Sequence, residues 1–204
     1  LKSRVPPEVF AETYKSPKTD GTGRIRKQLR KARNLLEKAG WFIKGGKLVN
    51  KRFEKPFKFE ILLISPAFER IVLPFARNLK RLGIDASVRT VDTAQYRKRT
   101  DDYDFDMVVS TFGQSLSPGN EQREFWGSAA AKRPRSRNIA GIQSPVIDKL
   151  IELVISAPDR KTLITRTRAL YRVLLWNHYV IPHWHIRSYR VAFWTSPRAC
   201  SGSA

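Results

Sequence analysis

Three histidines near the C-terminal end of the chain could ligate a metal ion. His178, His183 and His185 are the only histidines, and on a strand His183 and His185 would point to the same side. The surrounding stretch supplies no carboxylate or cysteine to complete such a site, and Asp159 is the nearest acidic residue before it. A metal-dependent enzyme is therefore one interpretation, and a polar strand edge among aromatic neighbours is the other.

Four aspartates form a second cluster that could carry chemistry. Asp101, Asp102, Asp104 and Asp106 could act in acid–base catalysis or bind calcium, but the stretch lacks the glycine turn and distal glutamate of a calcium loop. The spacing therefore favours a solvated loop before a strand. The sequence also contains no nucleophile elbow, phosphate-binding loop or zinc-protease motif, so we expect no catalytic activity and no cofactor.

The irregular stretch from residue 113 to 143 combines glycines, amides and aromatic rings, which suit hydrogen bonding to peptide-like groups and stacking. Trp126 could bind a ligand or equally pack beneath the loop. For Phe112–Gln114 the position at the end of a predicted strand favours binding. The residues that we expect to contact a ligand are Thr111, Phe112, Gly113, Gln114, Ser117, Asn120 and Trp126.

The elements before this stretch place it at the edge of a parallel sheet. Strands are predicted at 57–65, 84–91 and 105–112, with helices at 67–82 and 93–100 between them. Strands that alternate with helices pair in parallel through right-handed crossovers. Ligands of such sheets bind beyond the carboxyl ends of the strands, which here include the residues that follow Phe112.

The remaining periodic segments predict three further helices and a turn. A helix from residue 24 to 39 ends at Gly40, and Gly45-Gly46 is typical of a hairpin turn. Two more helices start after Ser144 and after Asp159, which is placed to cap the second of them. Thr93 is the predicted cap of the short helix at 93–100.

Composition limits the class of protein. The 204 residues include 39 basic and 18 acidic side chains, a net charge of +21, and 41% are hydrophobic, which is enough for a core. No apolar run approaches the ~20 residues that span a bilayer. The single cysteine, Cys200, excludes a disulfide framework. The charge keeps open a basic domain that binds nucleic acid or an anionic surface, although both halves of the chain are basic and no arm or RNA-binding motif stands out.

A series of motifs resembles a known family. Taken in order they are Leu35–Trp41, Asn78–Ile84, Tyr103–Met107, Trp126–Ser128, Ser136–Ile142, Pro145–Ile151 and Tyr179–Pro182. Together they resemble the C-terminal part of the extracellular solute-binding proteins of family 5, the peptide, dipeptide and nickel subunits of ABC importers. The string Gln114–Gln122 followed by Phe125–Ser128 is similar to the YejA-like branch. The resemblance covers about residues 5–195.

This resemblance implies an α/β fold, one lobe of a two-lobed periplasmic binding protein of the type II-like class, with a mixed β-sheet flanked by helices. Residues 1–23 would cross over from a first lobe, 24–178 would form the second ligand-binding lobe, 179–195 would return, and 196–204 would be an atypical tail. Phe112 stands where many relatives have tryptophan. The implied protein is periplasmic, non-catalytic and monomeric. It would bind a peptide or oligopeptide and deliver it to ABC permease subunits, with nucleic acid not expected as a partner.

The chain also departs from the family. It begins at Leu1 without a visible signal peptide, and its last ten residues do not match the family's C-terminus. We therefore expect a piece of a longer protein or the product of a disrupted reading frame. Because two lobes share the ligand, such a piece is predicted to bind peptide weakly or not at all.

Overall fold

The computed structural model describes residues 2–185, 188 and 191–193, which form an α/β fold. Its helices are α1 (Glu8–Ala11), α2 (Arg26–Lys38), α3 (Glu69–Lys80), α4 (Thr93–Asp101), α5 (Glu121–Trp126), α6 (Ser128–Ala131), α7 (Pro145–Ile155) and α8 (Arg160–Trp176). Its strands are β1 (Trp41–Lys44), β2 (Lys47–Asn50), β3 (Lys58–Leu63), β4 (Asp85–Thr90) and β5 (Met107–Val108). Short 3₁₀ turns lie at Lys2–Arg4 and Pro66–Phe68. The predicted tail 196–204, with Cys200, lies outside the described residues, as does part of the predicted return segment 179–195.

The central element is a parallel sheet in the order β4-β3-β5. Ile61 on β3 stands opposite Val88 on β4 and Met107 on β5. β3 ends in three consecutive buried apolar residues, Ile61–Leu63, because both faces of a central parallel strand are covered.

The two crossover helices cover opposite faces of this sheet. On one face Val72 of α3 packs against Ile61 and Leu63. On the other face Arg99 of α4 reaches Glu60, with 2.7 Å between Nη1 and Oε1. This arrangement follows from topology, because the chain crosses from β3 to β4 in one direction and returns past β3 to β5 in the other, and right-handed crossovers then lie on opposite faces.

The antiparallel strands β1 and β2 form a separate hairpin, so parallel and antiparallel pairing occur in two sheets and not in one mixed sheet. Gly45 and Gly46 in its two-residue turn have φ of +57° and +76°, values that glycine adopts without strain. Helix α2 packs its apolar side, Leu29, Ala32 and Leu36, onto a small cluster built around Leu48 of the hairpin.

The second half of the chain is helical and contains the largest core. Ile147 and Ile151 of α7 pack with Leu170 of α8 and with Phe125 and Trp126 of α5. Pro145 begins α7, and the Asp159 side chain caps α8 by accepting from the Thr162 N–H, as predicted.

Three predicted elements differ from the structure. The strand expected at 105–112 is only β5, and it lies at the edge of the sheet. It is short because the Asp106 carboxylate accepts the Glu60 N–H at 2.8 Å and the Tyr96 hydroxyl donates to the Val109 carbonyl, so side chains replace ladder hydrogen bonds at both ends. The stretch 113–143 is not wholly irregular, because it contains α5 and α6. Asp92, and not Thr93, caps α4 through the Gln95 N–H.

Candidate functional site

The candidate site is the carboxyl edge, which we define as residues 64–68 after β3 and 109–115 after β5. Ile64 is 45% exposed although the three residues before it are buried. Ser65 accepts a hydrogen bond from the Ala67 N–H and turns the chain into α3. The crevice between two parallel strands whose connections diverge is the place where ligands bind in open α/β sheets.

The backbone of Thr111–Gln114 is free along this edge. Thr111, Gly113 and Gln114 are exposed, and none of the four backbones is hydrogen-bonded to another residue that the structure describes. A side chain added at Gly113 would meet no heavy atom of its surroundings within 4 Å. This segment therefore offers peptide N–H and C=O groups to a partner.

Phe112 fastens that segment to the helical core. Its ring lies 5.6 Å from that of Phe125, edge to face, and 4.6 Å from that of Trp126. It is half-buried, so one side of the ring is used in packing. Phe112 thus positions the free backbone on either side of it.

A series of side-chain hydrogen bonds connects the carboxyl edge to the core. Gln122 is 5% exposed and donates from Nε2 to Oε1 of Gln114 at 2.7 Å, while its own Oε1 accepts from the Trp126 indole N–H at 3.2 Å. Trp126 is only 7% exposed, so the structure places it in the core that the sequence offered as its alternative location. Gln122 was not among the predicted site residues, because its contact with Trp126 four residues later depends on the short helix α5, which has no periodic signal in the sequence.

Ser117 and Asn120 are held by arginines. Arg160 donates from Nη1 to the Leu116 carbonyl at 2.6 Å and approaches the Ser117 hydroxyl at 3.3 Å. Arg123 donates to Oδ1 of Asn120 at 2.7 Å. The structure thus separates the predicted residues into two groups. Thr111–Gln114 have a backbone without hydrogen bonds to other described residues, whereas Ser117, Asn120 and Trp126 are held by residues of the helices.

Arg123 also forms a bidentate surface ion pair in this region. It binds both carboxylate oxygens of Glu152, at 2.7 and 2.6 Å. The hydrogen bond from Arg123 holds the pKa of the Glu152 carboxyl below its ordinary value. The pair connects α5 to α7 and fixes the start of α5 beside the edge.

Several motif residues form a buried network and not a binding surface. Asn138 is fully buried: Nδ2 donates to the carbonyls of Gly127 and Ile142, at 3.0 and 2.9 Å, and Oδ1 accepts from the Ile142 N–H. Asp148 accepts from both the N–H and the hydroxyl of Ser128. These contacts give two of the motifs, Trp126–Ser128 and Ser136–Ile142, structural roles: Asn138 holds its own loop to Gly127, and Asp148 of α7 holds the first residue of α6.

The other candidate clusters are separated or engaged elsewhere. Among the described residues no group of three or more His, Cys, Asp or Glu side chains is placed to hold a metal ion, so the three histidines do not assemble. His178 packs near Tyr14, while His183 stacks on Trp184. Of the aspartates, Asp104 pairs with Arg99 at 2.8 Å and Asp101 with Arg135 at 3.3 Å.

Two cavities of the described part lie away from the carboxyl edge. One, of about 470 Å³, is lined by charged side chains around Arg99, including Arg89, Lys98 and Asp102. The other, of about 260 Å³, lies at the opposite end of the sheet beside Lys58 and Asp85. At the carboxyl edge itself, Trp184 stacks on Phe68 with 6.3 Å between the ring centres, whereas Thr111, Gly113 and Gln114 are exposed. The part of the edge that follows β5 is therefore the part that is accessible to a partner.

Comparisons with known proteins identify a family and several relatives. A family model described as bacterial extracellular solute-binding proteins, family 5 Middle, matches residues 2–133. The uncharacterized protein y4wM of Sinorhizobium fredii is 53% identical over 194 residues, which are 95% of this chain and 29% of that protein. The probable peptide-binding protein YejA of Agrobacterium fabrum is 43% identical over 196 residues, 96% of this chain and 32% of that protein. The chain therefore spans about a third of the length of these curated relatives.

A solved structure shows the same fold. AppA, the oligopeptide-binding protein of Bacillus subtilis determined in complex with a nonapeptide, is 22% identical with a TM-score of 0.64, over 74% of this chain and 30% of that one. This likeness confirms the predicted α/β fold of a binding-protein lobe. In addition, no helix within the described residues has the length and apolar character of a membrane span.

Proposed function

This chain belongs to family 5 of the bacterial extracellular solute-binding proteins, and from that premise we propose that it is the C-terminal lobe of the peptide-binding subunit of an ABC importer. The single observation that carries the proposal is the backbone of Thr111–Gln114 at the carboxyl edge of the parallel sheet, which forms no hydrogen bond with any other residue in the described part of the chain. A peptide is a matching partner because its own N–H and C=O groups can pair with those of the edge.

The names of similar proteins support a peptide as the ligand. The relative from Agrobacterium fabrum is named a probable peptide-binding protein, and AppA was solved with a nonapeptide. On this proposal residues 1–23 cross over from a first lobe, 24–178 form the ligand-binding lobe, and 179–195 return. The residues that line the cleft are Thr111, Phe112, Gly113 and Gln114. The residues that hold this segment in place are Ser117, Asn120 and Trp126.

The proposed mechanism is binding without catalysis. A peptide that touches both lobes stabilises the closed arrangement over the open one, and the closed form docks on the permease of the importer. The protein acts in the periplasm as a monomer. Residues tied to the helices keep the segment that lines the cleft rigid, so that little ordering is required when the ligand binds.

A chimera tests the proposal. The aligned residues of this chain replace the 43%-identical segment of the Agrobacterium fabrum relative, and peptides retained through purification are identified by mass spectrometry. We expect the chimera to retain peptides as the parent does. A folded chimera that carries no peptide beside a parent that does would refute the proposed role.

A point variant of the chimera locates the contact. Gly113→Val adds bulk where no heavy atom lies within 4 Å, so we expect an unchanged melting temperature and at least a tenfold loss of peptide affinity. Asn34→Leu adds bulk at an exposed position of α2 and is the matched control, with affinity within twofold of the parent chimera. Equal affinity for the two variants would show that Gly113 does not face the ligand.

The chain alone provides a second test. Because one lobe offers only part of the contacts, calorimetric titration of the 204-residue chain with a peptide mixture is expected to give dissociation constants weaker than millimolar. Micromolar binding to the chain alone would contradict the requirement for two lobes.

A further inference from the structure

The positive charge of the chain is concentrated in one segment that the proposed ligand cleft does not use. Residues 24–58 contain thirteen of the 39 basic residues and two acidic residues, so about half of the net charge of +21 falls in 35 residues. We call the surface of α2, the β1–β2 hairpin and the following turn the basic face. All thirteen basic side chains are exposed.

The basic face is not neutralised from within. Its two acidic residues, Glu37 and Glu54, already pair with Arg33 and Lys44. The other eleven basic side chains form no ion pair with any residue in the described ranges. Unpaired charge of one sign at this density is unfavourable by itself and attracts a polyanionic surface.

The charges of α2 are arranged as a stripe. Leu29, Ala32 and Leu36 point toward the core of the hairpin, and Lys27, Lys31 and Lys38 fall on the opposite side of the helix, separated by four and seven residues. The stripe therefore points away from the body of the protein and can approach a flat surface.

Apolar side chains are exposed in the same segment. Leu35 is 57% exposed beside the lysine stripe, Ile43 on β1 is 42% exposed, and Phe53 in the turn after β2 is 61% exposed with the Arg52 guanidinium 5.2 Å from its ring centre. Basic side chains interspersed with leucine, isoleucine and phenylalanine are typical of surfaces that bind at the headgroup level of a bilayer. Nucleic acid would use the same charges, but aliphatic side chains such as Leu35 and Ile43 offer no stacking face to a base.

We propose that the basic face binds the surface of an anionic phospholipid bilayer, with the lysines of α2 on the phosphate headgroups and Phe53 among them. This places a second, ligand-independent binding surface on the protein. The face lies on α2 and the hairpin and not on the carboxyl edge. The surface would hold the protein near the membrane, and it does not depend on the identity of the ligand proposed above.

The test measures binding of the 204-residue chain to vesicles by co-sedimentation. We expect binding to vesicles with 30% phosphatidylglycerol in phosphatidylcholine, no binding to pure phosphatidylcholine, and loss of binding as NaCl rises from 50 to 500 mM. The triple variant K27Q/K31Q/K38Q should lower the partition coefficient at least about tenfold, because each lysine near an anionic surface contributes several-fold.

A matched variant distinguishes an effect of the basic face from an effect of the change in net charge. K132Q/K149Q/K161Q removes three exposed lysines from the helical half and changes the net charge equally. We expect this control to bind within twofold of the parent. Equal losses in the two triple variants, each folded by circular dichroism, would overturn the proposal.

A second comparison separates bilayer from nucleic acid. Phe53→Ser is expected to weaken vesicle binding about threefold and to leave binding to a 20-base-pair DNA duplex unchanged. DNA binding that is tighter than vesicle binding at the same salt, or no binding to the anionic vesicles at 100 mM NaCl, would overturn the proposal. Because no peptide is present in these measurements, their failure leaves the proposed import function untouched.

Discussion

The two halves of the chain, a helical region and a sheet–hairpin region, use their residues for different purposes. The helical region, residues 112–180 with α1, has one core cluster of ten buried residues. The sheet–hairpin region, residues 24–109, divides its core into two clusters of three buried residues each. The helical region thus supplies a rigid frame. The sheet–hairpin region presents extended surface, the basic face at one side and the carboxyl edge at the other.

The halves differ equally in how they use buried polar groups. In the helical region Asn138 and Gln122 are buried and hydrogen-bonded, and they connect loops to helices. In the sheet–hairpin region the principal polar network, around Arg99 and Glu60, is partly exposed. Thr111–Gln114 lies at the junction. It is fixed to the helical core through Phe112 and left open on the side of the sheet. The candidate site is therefore held in place by the helical region, and it is accessible because it lies next to the exposed end of the sheet.

The largest expected effect comes from core truncation in each half. Ile147→Ala, in the cluster of ten, should lower the free energy of unfolding by about 4 kcal/mol, whereas Ile84→Ala, in a cluster of three, should lower it by about 2 kcal/mol. A fully enclosed site collapses less around the cavity. Urea denaturation followed by circular dichroism measures both, and equal losses would remove the contrast between the two cores.

The buried amide of the helical region is the next test. Asn138→Ala removes three hydrogen bonds and leaves the buried Ile142 without a partner for its carbonyl or its N–H, while the Gly127 carbonyl still accepts from the Ala130 N–H. We therefore expect a loss of about 3 kcal/mol in the free energy of unfolding. Asn34→Ala, on the exposed side of α2, is the control and should change stability by less than about 0.5 kcal/mol. Equal shifts of the denaturation curves of the two variants would show that the hydrogen bonds of Asn138 do not stabilise the fold.

Two glycines near the boundary between the halves differ in the space available for a side chain. An added Cβ at Gly127 would lie 2.6 Å from the Arg123 carbonyl oxygen, although its φ of −76° suits any residue. Gly127→Ala should therefore cost about 2 kcal/mol through overpacking. Gly113→Ala has open space and should be neutral or stabilising by about 0.5 kcal/mol. Thermal unfolding compares them, and a destabilised Gly113→Ala variant would mean that the edge is packed.

The smallest effect concerns the pH dependence of the Arg123–Glu152 pair. Because the pKa of Glu152 is lowered in the folded state, its stabilising contribution is present above the ordinary carboxyl pKa and is lost as pH falls through the lowered value. The wild type should therefore exceed Glu152→Gln in stability at pH 7, and the difference should shrink as the pH is lowered through the acidic range and in 1 M NaCl. Unfolding curves across this pH range check this, and a difference that does not change with pH would exclude the ion pair as its cause.

Much of the fold was accessible from local patterns. The helices α2, α3, α7 and α8, the parallel pairing of β3 with its neighbours and the Asp159 cap were predicted because apolar periodicity and capping act over a few residues. The length of β5 could not be predicted from local patterns. The Asp106 carboxylate and the Tyr96 hydroxyl, which replace ladder hydrogen bonds at its two ends, come from a turn and a helix. The short helices α5 and α6 were missed because six and four residues are too few for a periodic signal.

For the candidate site, the sequence located the right stretch but not the roles within it. Spacing gave no means of separating Thr111–Gln114, whose backbone is free, from Ser117 and Asn120, which Arg160 and Arg123 hold. The arginines lie 43 and 3 residues away along the chain, and nothing in the local pattern pairs Arg160 with the loop. The binding roles of all seven predicted residues are still predictions.

By itself, the sequence determined the order of helices and strands, the family resemblance and the excess of positive charge, because these depend on residue types and on short-range spacing. Only the tertiary structure decided which polar groups stay open to a partner and which become internal connections. That decision depends on hydrogen bonds between residues far apart in the chain, such as the contact of Ser128 with Asp148 across 20 positions, and these form only when the helices have packed.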